Sequence, residues 1–168
     1  MTPDLMIGGT MPRPLLIHEF LHDARVPYAV VPHLPAYSAQ AEAAVAHVPG
    51  RDWAKTVVCF VDERPVQAVL PATMTVDLER LVRLARGEVV RLAHESELRH
   101  LFPDCEEGAM PPFGPLYGQE TYVDVSLAGE EEIVFAAGSH AEAIQMKWAD
   151  FVASVRPIVG RFAVEWSK

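Results

Sequence analysis

The chain has 168 residues, half of them hydrophobic and 22% charged, which suits one globular domain with a sizeable core and excludes intrinsic disorder. Its formal net charge of −9 excludes holding nucleic acid by broad charge attraction, so any such partner needs a local site and a transient encounter. No apolar run approaches the ~20 residues that cross a bilayer, Met1–Pro14 lacks the pattern of a secretory leader, and two cysteines are too few for a disulfide framework, so the expected compartment is the cytoplasm.

Met1–Pro14 reads as a loose lead-in, with Met11 an alternative start, and residues 15–168 as a single domain. Leu15–Arg25 carries an apolar stripe of Leu16, Ile17, Phe20 and Leu21 and is the first expected helix, stopped by Val26-Pro27. Tyr28–His33 reads as a strand, and Ser38 as the N-cap of a helix running to His47. Lys55–Asp62 is a continuous apolar run and hence a buried strand, with a turn at Glu63–Pro65 and a hairpin partner in Val66–Leu70. Helices are expected over Val76–Arg86 and Glu95–Leu101, with a short strand at Val89–Leu92 between them. Thr121–Val125 and Glu132–Ala136 read as strands joined by a turn, with Glu130-Glu131-Glu132 solvated. Ala143–Trp148 alternates as a strand, and Asp150–Val155 is the last helix before Pro157. Strands outnumber helices and most connections are hairpin-short, so the class is α+β.

Gly108–Gly118, G-A-M-P-P-F-G-P-L-Y-G, is too apolar for an ordinary surface loop. Its prolines fix φ and remove donors, and its glycines allow close backbone approach. It is either a buried connection or a rigid loop offering bare N–H groups to a ligand. Lys55, opening the buried strand after Trp53-Ala54, is either an ordinary solvated lysine or an ammonium at a pocket rim, suited to a phosphate or an oxyanion. Gly138-Ser139-His140 is either a plain β-turn or a site lining. His18-Glu19-Phe20-Leu21-His22 matches the zinc-protease spacing, but its histidines form the polar face of an amphipathic helix and no clear third ligand follows. Cys59 reads as a small core residue, and Cys105 sits among acids that raise a thiol pKa. The common nucleophile-elbow and phosphate-loop motifs are absent from the sequence.

Taken together, these positions resemble the YbaK/EbsC family, the domain related to the editing insertion of bacterial prolyl-tRNA synthetases. The resemblance is carried by A-Y-S-A-Q-A-E-A-A (Ala36–Ala44), W-A-K-T-V-V (Trp53–Val58), A-V-L-P-A (Ala68–Ala72), V-D-L-E-R-L (Val76–Leu81), L-F-P-D-C-E-E-G-A-M-P-P-F-G (Leu101–Gly114), Y-V-D (Tyr122–Asp124) and A-G-S-H (Ala137–His140), in that order. It implies a mixed, partly barrel-like sheet surrounded by helices. It also implies hydrolysis of the ester linking a wrong, small amino acid to the 3′ end of a tRNA. Lys55 would position the terminal nucleotide and Gly108 would polarise the ester carbonyl. Tyr37, Ala109, Met110, Pro111, Pro112, Asp124, Gly138, Ser139, His140 and Asp150 would line the substrate site. The implied partners are the aminoacyl end of a mischarged tRNA, held transiently, and an aminoacyl-tRNA synthetase, with no membrane and no DNA. The implied mechanism needs no cofactor, no metal and no protein nucleophile. Met110-Pro111-Pro112 departs from the small residues common in the family loop, so substrate identity does not carry over. A non-catalytic tRNA- or protein-binding module on the same fold, and a zinc hydrolase on His18 and His22, are the alternatives.

Overall fold

The computed structural model describes residues 16–165; the lead-in over Met1–Pro14 and the expected first helical residue, Leu15, lie outside the described residues. Helix α1 (Leu16–Asp23) buries Ile17 and Leu21, two members of the expected stripe. Strand β1 (Ala29–Pro32) follows, then α2 (Ala39–Val45), which Ser38 caps by accepting a hydrogen bond from the Ala41 N–H at 3.1 Å.

The centre is an antiparallel hairpin of β2 (Trp53–Val61) and β3 (Arg64–Pro71), in register from Ala54 opposite Pro71 to Val61 opposite Arg64. Its turn is Asp62-Glu63, both with positive φ (49° and 64°), the geometry whose twist matches a two-residue hairpin. The turn therefore falls earlier than Glu63–Pro65, and Arg64 and Pro65 already belong to β3. Asp62 tolerates its left-handed backbone partly because its carboxylate accepts the N–H groups of Glu88 and Val89 at 3.0 and 2.9 Å.

Beyond the hairpin come β4 (Met74–Val76), α3 (Leu78–Leu84, capped by Asp77), β5 (Val90–Leu92) and α4 (Glu95–Leu101, as expected). Then follow β6 (Glu120–Asp124), β7 (Glu132–Ala136), β8 (Glu142–Lys147), α5 (Trp148–Val155), β9 (Ile158–Gly160) and β10 (Ala163–Glu165). The main sheet has the order β9-β6-β3-β2-β7-β8-β1, with β5 also pairing β2, and β10 and β4 form a separate two-stranded sheet. The architecture is mixed α+β, as expected, but the sheet does not close: β9 and β1 remain its two ends. Nor do β6 and β7 form a pair across their turn. β6 runs parallel to β3 and β7 parallel to β2, on opposite sides of the central hairpin. Sequence patterning passed over β4, β9 and β10 because three residues are too few to establish a period of two.

Neighbouring residues on a strand point to opposite faces, and the core divides accordingly. Trp53, Val134, Ala136 and Ala143 pack with Ala43 of α2 on one face. Ala54, Phe135 and Ile144 pack with Ile17 and Leu21 of α1 and Phe151 of α5 on the other. Burying each large side chain of this kind contributes about 1.5–3 kcal/mol.

One edge of β2 has two partners. β7 pairs with Trp53 and Ala54, and β5 pairs from Cys59 onward. The Gly/Pro loop crosses the sheet in the gap between them. Ala109 packs on the α2 face, Met110 against Val58 and Phe102, and Phe113 on the α1/α5 face. Gly114 follows at a spot with no room for a side chain, since a Cβ there would collide with the Gln119 carbonyl and the Thr121 hydroxyl. Gly114→Ala is expected to cost about 1–3 kcal/mol in urea unfolding, as overpacking does. Gly129→Ala, where a Cβ meets nothing, should change stability by less than about 0.5 kcal/mol.

Candidate active site

Five sequence-predicted residues converge on the α2 face at the gap in the sheet. Gly108 takes φ +82°, a left-handed conformation that side chains adopt at a cost, and a Cβ there would meet the His140 ring at 3.5 Å. Gly138 (φ 94°) and Ser139 form the turn from β7 to β8. The Gly138 N–H donates to the Ala109 carbonyl at 2.9 Å, and its carbonyl accepts the Glu106 N–H at 2.8 Å, so turn and loop are stitched together. Tyr37 is 78% exposed, its ring centroid 5.0 Å from that of His140. The Ser139 hydroxyl accepts the Ala141 N–H and holds its own turn.

Every polar atom of His140 is engaged. Its N–H donates to the Glu106 carboxylate at 2.7 Å and its carbonyl accepts the Ala36 N–H at 3.1 Å. Ring Nδ1 lies 2.8 Å from Glu42 Oε1, and Nε2 donates to the Glu107 carbonyl. A carbonyl only accepts, so Nε2 carries a proton, and His140 is not free to act as a general base. Burial works against its charged form. The Glu42 hydrogen bond, the Glu107 carbonyl and the charges of Glu42 and Glu106 outweigh burial and hold the imidazole above its ordinary 6.5. Burial raises the Glu42 carboxyl above 4.5 against the opposing pull of His140.

Lys55 lies inside β2 rather than at its start, because the strand begins at Trp53. Its Nζ donates to the Ala72 carbonyl at 3.4 Å, an acceptor shared with Gln40 at 3.2 Å. Ala72 packs in the same cluster as Ala109, which ties the lysine to the loop. Burial lowers the Lys55 pKa from 10.5. Among the described residues no carboxylate pairs with this ammonium, so two of its three donors are unspent.

The loop's own donors can be accounted for one by one. The Ala109 N–H donates to the Glu106 carbonyl, Phe113 to Pro111, and Gly114 to the Thr121 hydroxyl. Pro111 and Pro112 have none. Only the N–H groups of Gly108 and Met110 lack a partner among the described residues. Ala109 is therefore removed from the set of N–H groups that could meet a carbonyl. The Met110 side chain is 5% exposed and packs in the core, with one flank on a cleft of about 330 Å³ that it shares with Leu98, Phe102, Cys105, Glu106 and Glu107.

Two predicted residues are not gathered here. Asp124 is buried at the end of β6, where its carboxylate accepts the N–H groups of Phe162 and Ala163 at 2.9 Å and both N–H and hydroxyl of Ser126. Burial alone would raise its pKa; these hydrogen bonds outweigh that and lower it. Asp150 sits in the first turn of α5, beyond the far end of β8 from His140. Among the described residues neither carboxylate forms a hydrogen bond or an ion pair with the loop. Glu42 and Glu106 were missed. The one local signal was Glu42, which follows the Ser38 cap one position too late for a capping box and is nonetheless buried.

Cys59 is fully buried, as expected, with its thiol pushed up to about 12 by burial. Cys105 is also pushed up to about 12, chiefly by burial, with Asp104 a lesser contributor; this changes the expected cause and opposes thiolate chemistry at either position. His18 lies 3.6 Å from Glu142 and packs on Tyr28, and among the described residues no cluster of three metal-ligating side chains includes it or His22.

The raised His140 value has a consequence for stability. The stabilisation it supplies is present in full below pH 6.5 and is lost as pH rises through the folded-state value, with raised Glu42 acting in the same direction at lower pH. Urea unfolding between about pH 5.5 and 9 should show stability declining over that window, and His140→Gln should flatten the decline.

Comparison with known proteins bears on the family and the fold. The family model for the aminoacyl-tRNA editing domain matches residues 33–153. No curated protein matches significantly. Among solved structures, hypothetical protein APE2540 superposes with TM-score 0.79 at 17% identity, covering 88% of this chain and 99% of its own. A candidate trans-editing enzyme for prolyl tRNA synthetase superposes with TM-score 0.73 at 20% identity, covering 90% and 95%. A candidate signal transduction protein from Marinobacter aquaeolei VT8 superposes with TM-score 0.68 at 19% identity, covering 91% of this chain and 31% of its own. At these identities the structures establish the shared fold, and the family model, spanning the loop, Lys55 and His140 alike, shows that the chain belongs to the aminoacyl-tRNA editing domain family.

Proposed function

We propose that this chain is a trans-acting aminoacyl-tRNA deacylase that hydrolyses the ester of a mischarged tRNA carrying a small amino acid. The observation that carries the reading is the donor inventory of the loop. Where the loop passes from exposed Gly108 into the buried stretch that follows, every other N–H is bonded or absent among the described residues, and those of Gly108 and Met110 are unspent, on the loop whose Ala109 packs in the same cluster as the Ala72 that the half-buried ammonium of Lys55 bonds.

In this reading the ester carbonyl meets the two N–H groups, which stabilise the oxyanion as it forms. Lys55 holds a phosphate of the terminal nucleotide and fixes the reacting geometry. A water oxygen bonds to the carbonyl carbon, the bond to the ribose oxygen breaks, that oxygen takes up a proton, and the free amino acid leaves. His140 supplies no base, so water is activated from the substrate side, where the neighbouring ribose hydroxyl can orient it. No step calls on the thiols or on His18 and His22. Size selection falls to Met110, which also walls the cleft lined by Phe102, Glu106 and Glu107, and a pocket of this kind discriminates by about 1–3 kcal/mol per methylene.

A panel of mischarged tRNAs graded by side-chain size tests this. Alanyl, seryl or cysteinyl esters should be cleaved and phenylalanyl esters spared, with turnover unaffected by EDTA. Equal cleavage of alanyl and phenylalanyl esters, or binding with no turnover on any member, would sink the reading. Lys55→Ala should keep its melting temperature and lose about 100-fold or more in kcat/KM, the scale of one lost electrostatic contact to the transition state. Met110→Ala, a core truncation here, should cost about 2–5 kcal/mol of stability in urea, beyond any change in selectivity.

A further inference from the structure

We propose that Glu42 is a positioning residue that acts through His140 to aim the Gly108 N–H at the reacting carbonyl. The inference rests on the deacylase reading above. Glu42 is 2% exposed on α2, and its carboxylate has one hydrogen-bond partner among the described residues, the Nδ1 of His140, 98 positions away in the chain. A buried carboxylate is costly unless paired, so this one is held where it is by the imidazole. The other end of that ring holds the Glu107 carbonyl.

The Glu107 carbonyl and the Gly108 N–H belong to the same peptide unit. A trans peptide is planar, and its C=O and N–H point in opposite directions. Fixing the carbonyl toward His140 therefore fixes the N–H away from it, on an exposed glycine whose donor is unspent. Glu42 orients the ring, the ring orients the carbonyl, and the carbonyl orients the donor. Glu106 holds the backbone of His140 from the loop side, and Tyr37 closes over the ring at 5.0 Å. His33 adds its electrostatic pull on Glu42. Without Glu42 the ring loses the anchor that selects its rotation, and the Glu107–Gly108 peptide is free to turn.

The test uses the full chain, labelled with ¹⁵N, as wild type, Glu42→Gln and Glu42→Ala. Glutamine keeps the size and a neutral acceptor; alanine removes both. The Gly108 amide resonance and its exchange rate should move in both variants, more in Glu42→Ala, while the Gly129 amide stays in place. On a tRNA ester that wild type cleaves, kcat should fall about 10-fold for Glu42→Gln and about 100-fold for Glu42→Ala, within the range of one misaligned oxyanion donor, with KM changed less than about 2-fold. An unmoved Gly108 amide overturns the proposal, whatever happens to kcat. So does a moved amide with unchanged kcat. If Glu42→Ala does not fold, the isosteric glutamine decides by the same criteria. If wild type cleaves no ester, the deacylase reading and the aiming role both fall, and the Gly108 resonance alone then reports whether the clamp itself exists.

Discussion

Burying irregular backbone is the constraint on which the rest of the molecule depends. Loops lie on surfaces because a buried one strands donors and acceptors that water would otherwise satisfy. Ala109–Phe113 is buried throughout and still has no regular structure. The solution is distributed. Two prolines delete two donors, Gly138 and Glu106 take up the Ala109 peptide groups, and Thr121 receives Gly114. Along this edge of β2 the β7 pairing ends at Ala54 and the β5 pairing begins at Cys59, and Met110 of the loop packs with Val58 between them.

That arrangement separates two kinds of rigidity. On the α1/α5 face the loop is anchored by packing, with Phe113 against Phe135 and Phe151 at ring separations of 5.8 and 5.6 Å. On the α2 face the anchoring is polar and runs through one side chain, His140, which joins a helix, a loop and a β-turn. Apolar packing tolerates small displacements; hydrogen bonds at 2.7–2.8 Å do not. The Gly108 end of the loop is thus the one held by directional contacts.

Much of this was legible in the sequence, and the limits are physical. The continuous apolar run of β2 and the short helix α4 emerged at or near their true positions, and the turn at Gly138 was marked by its glycine. The turn of the central hairpin was misplaced because Pro65 suggested a break, whereas proline is tolerated near the start of a strand. Parallel pairing of β6 and β7 with a distant hairpin leaves no local trace. At the site, residues with unusual chemistry for their surroundings, Lys55 in an apolar run and Gly108 before two prolines, stood out. Glu42 did not, because a glutamate on a short helix is ordinarily solvated and its partner lies in another part of the chain. Asp124 was matched by motif alone, and its hydrogen bonds instead secure the crossing into β10.

The distribution of positive charge carries one more implication. Arg64, Arg80, Arg91 and Arg99 each face a carboxylate of the protein itself, on a chain whose net charge is −9. Under the deacylase reading proposed above, a chain of this net charge would offer the phosphates of a folded RNA repulsion rather than a track, and contact would be confined to the strand end that reaches Lys55. Residence on such a body would be short. Most molecules that an editing protein meets would be correctly charged, and a surface that holds none of them for long would let it inspect many without withdrawing them from use.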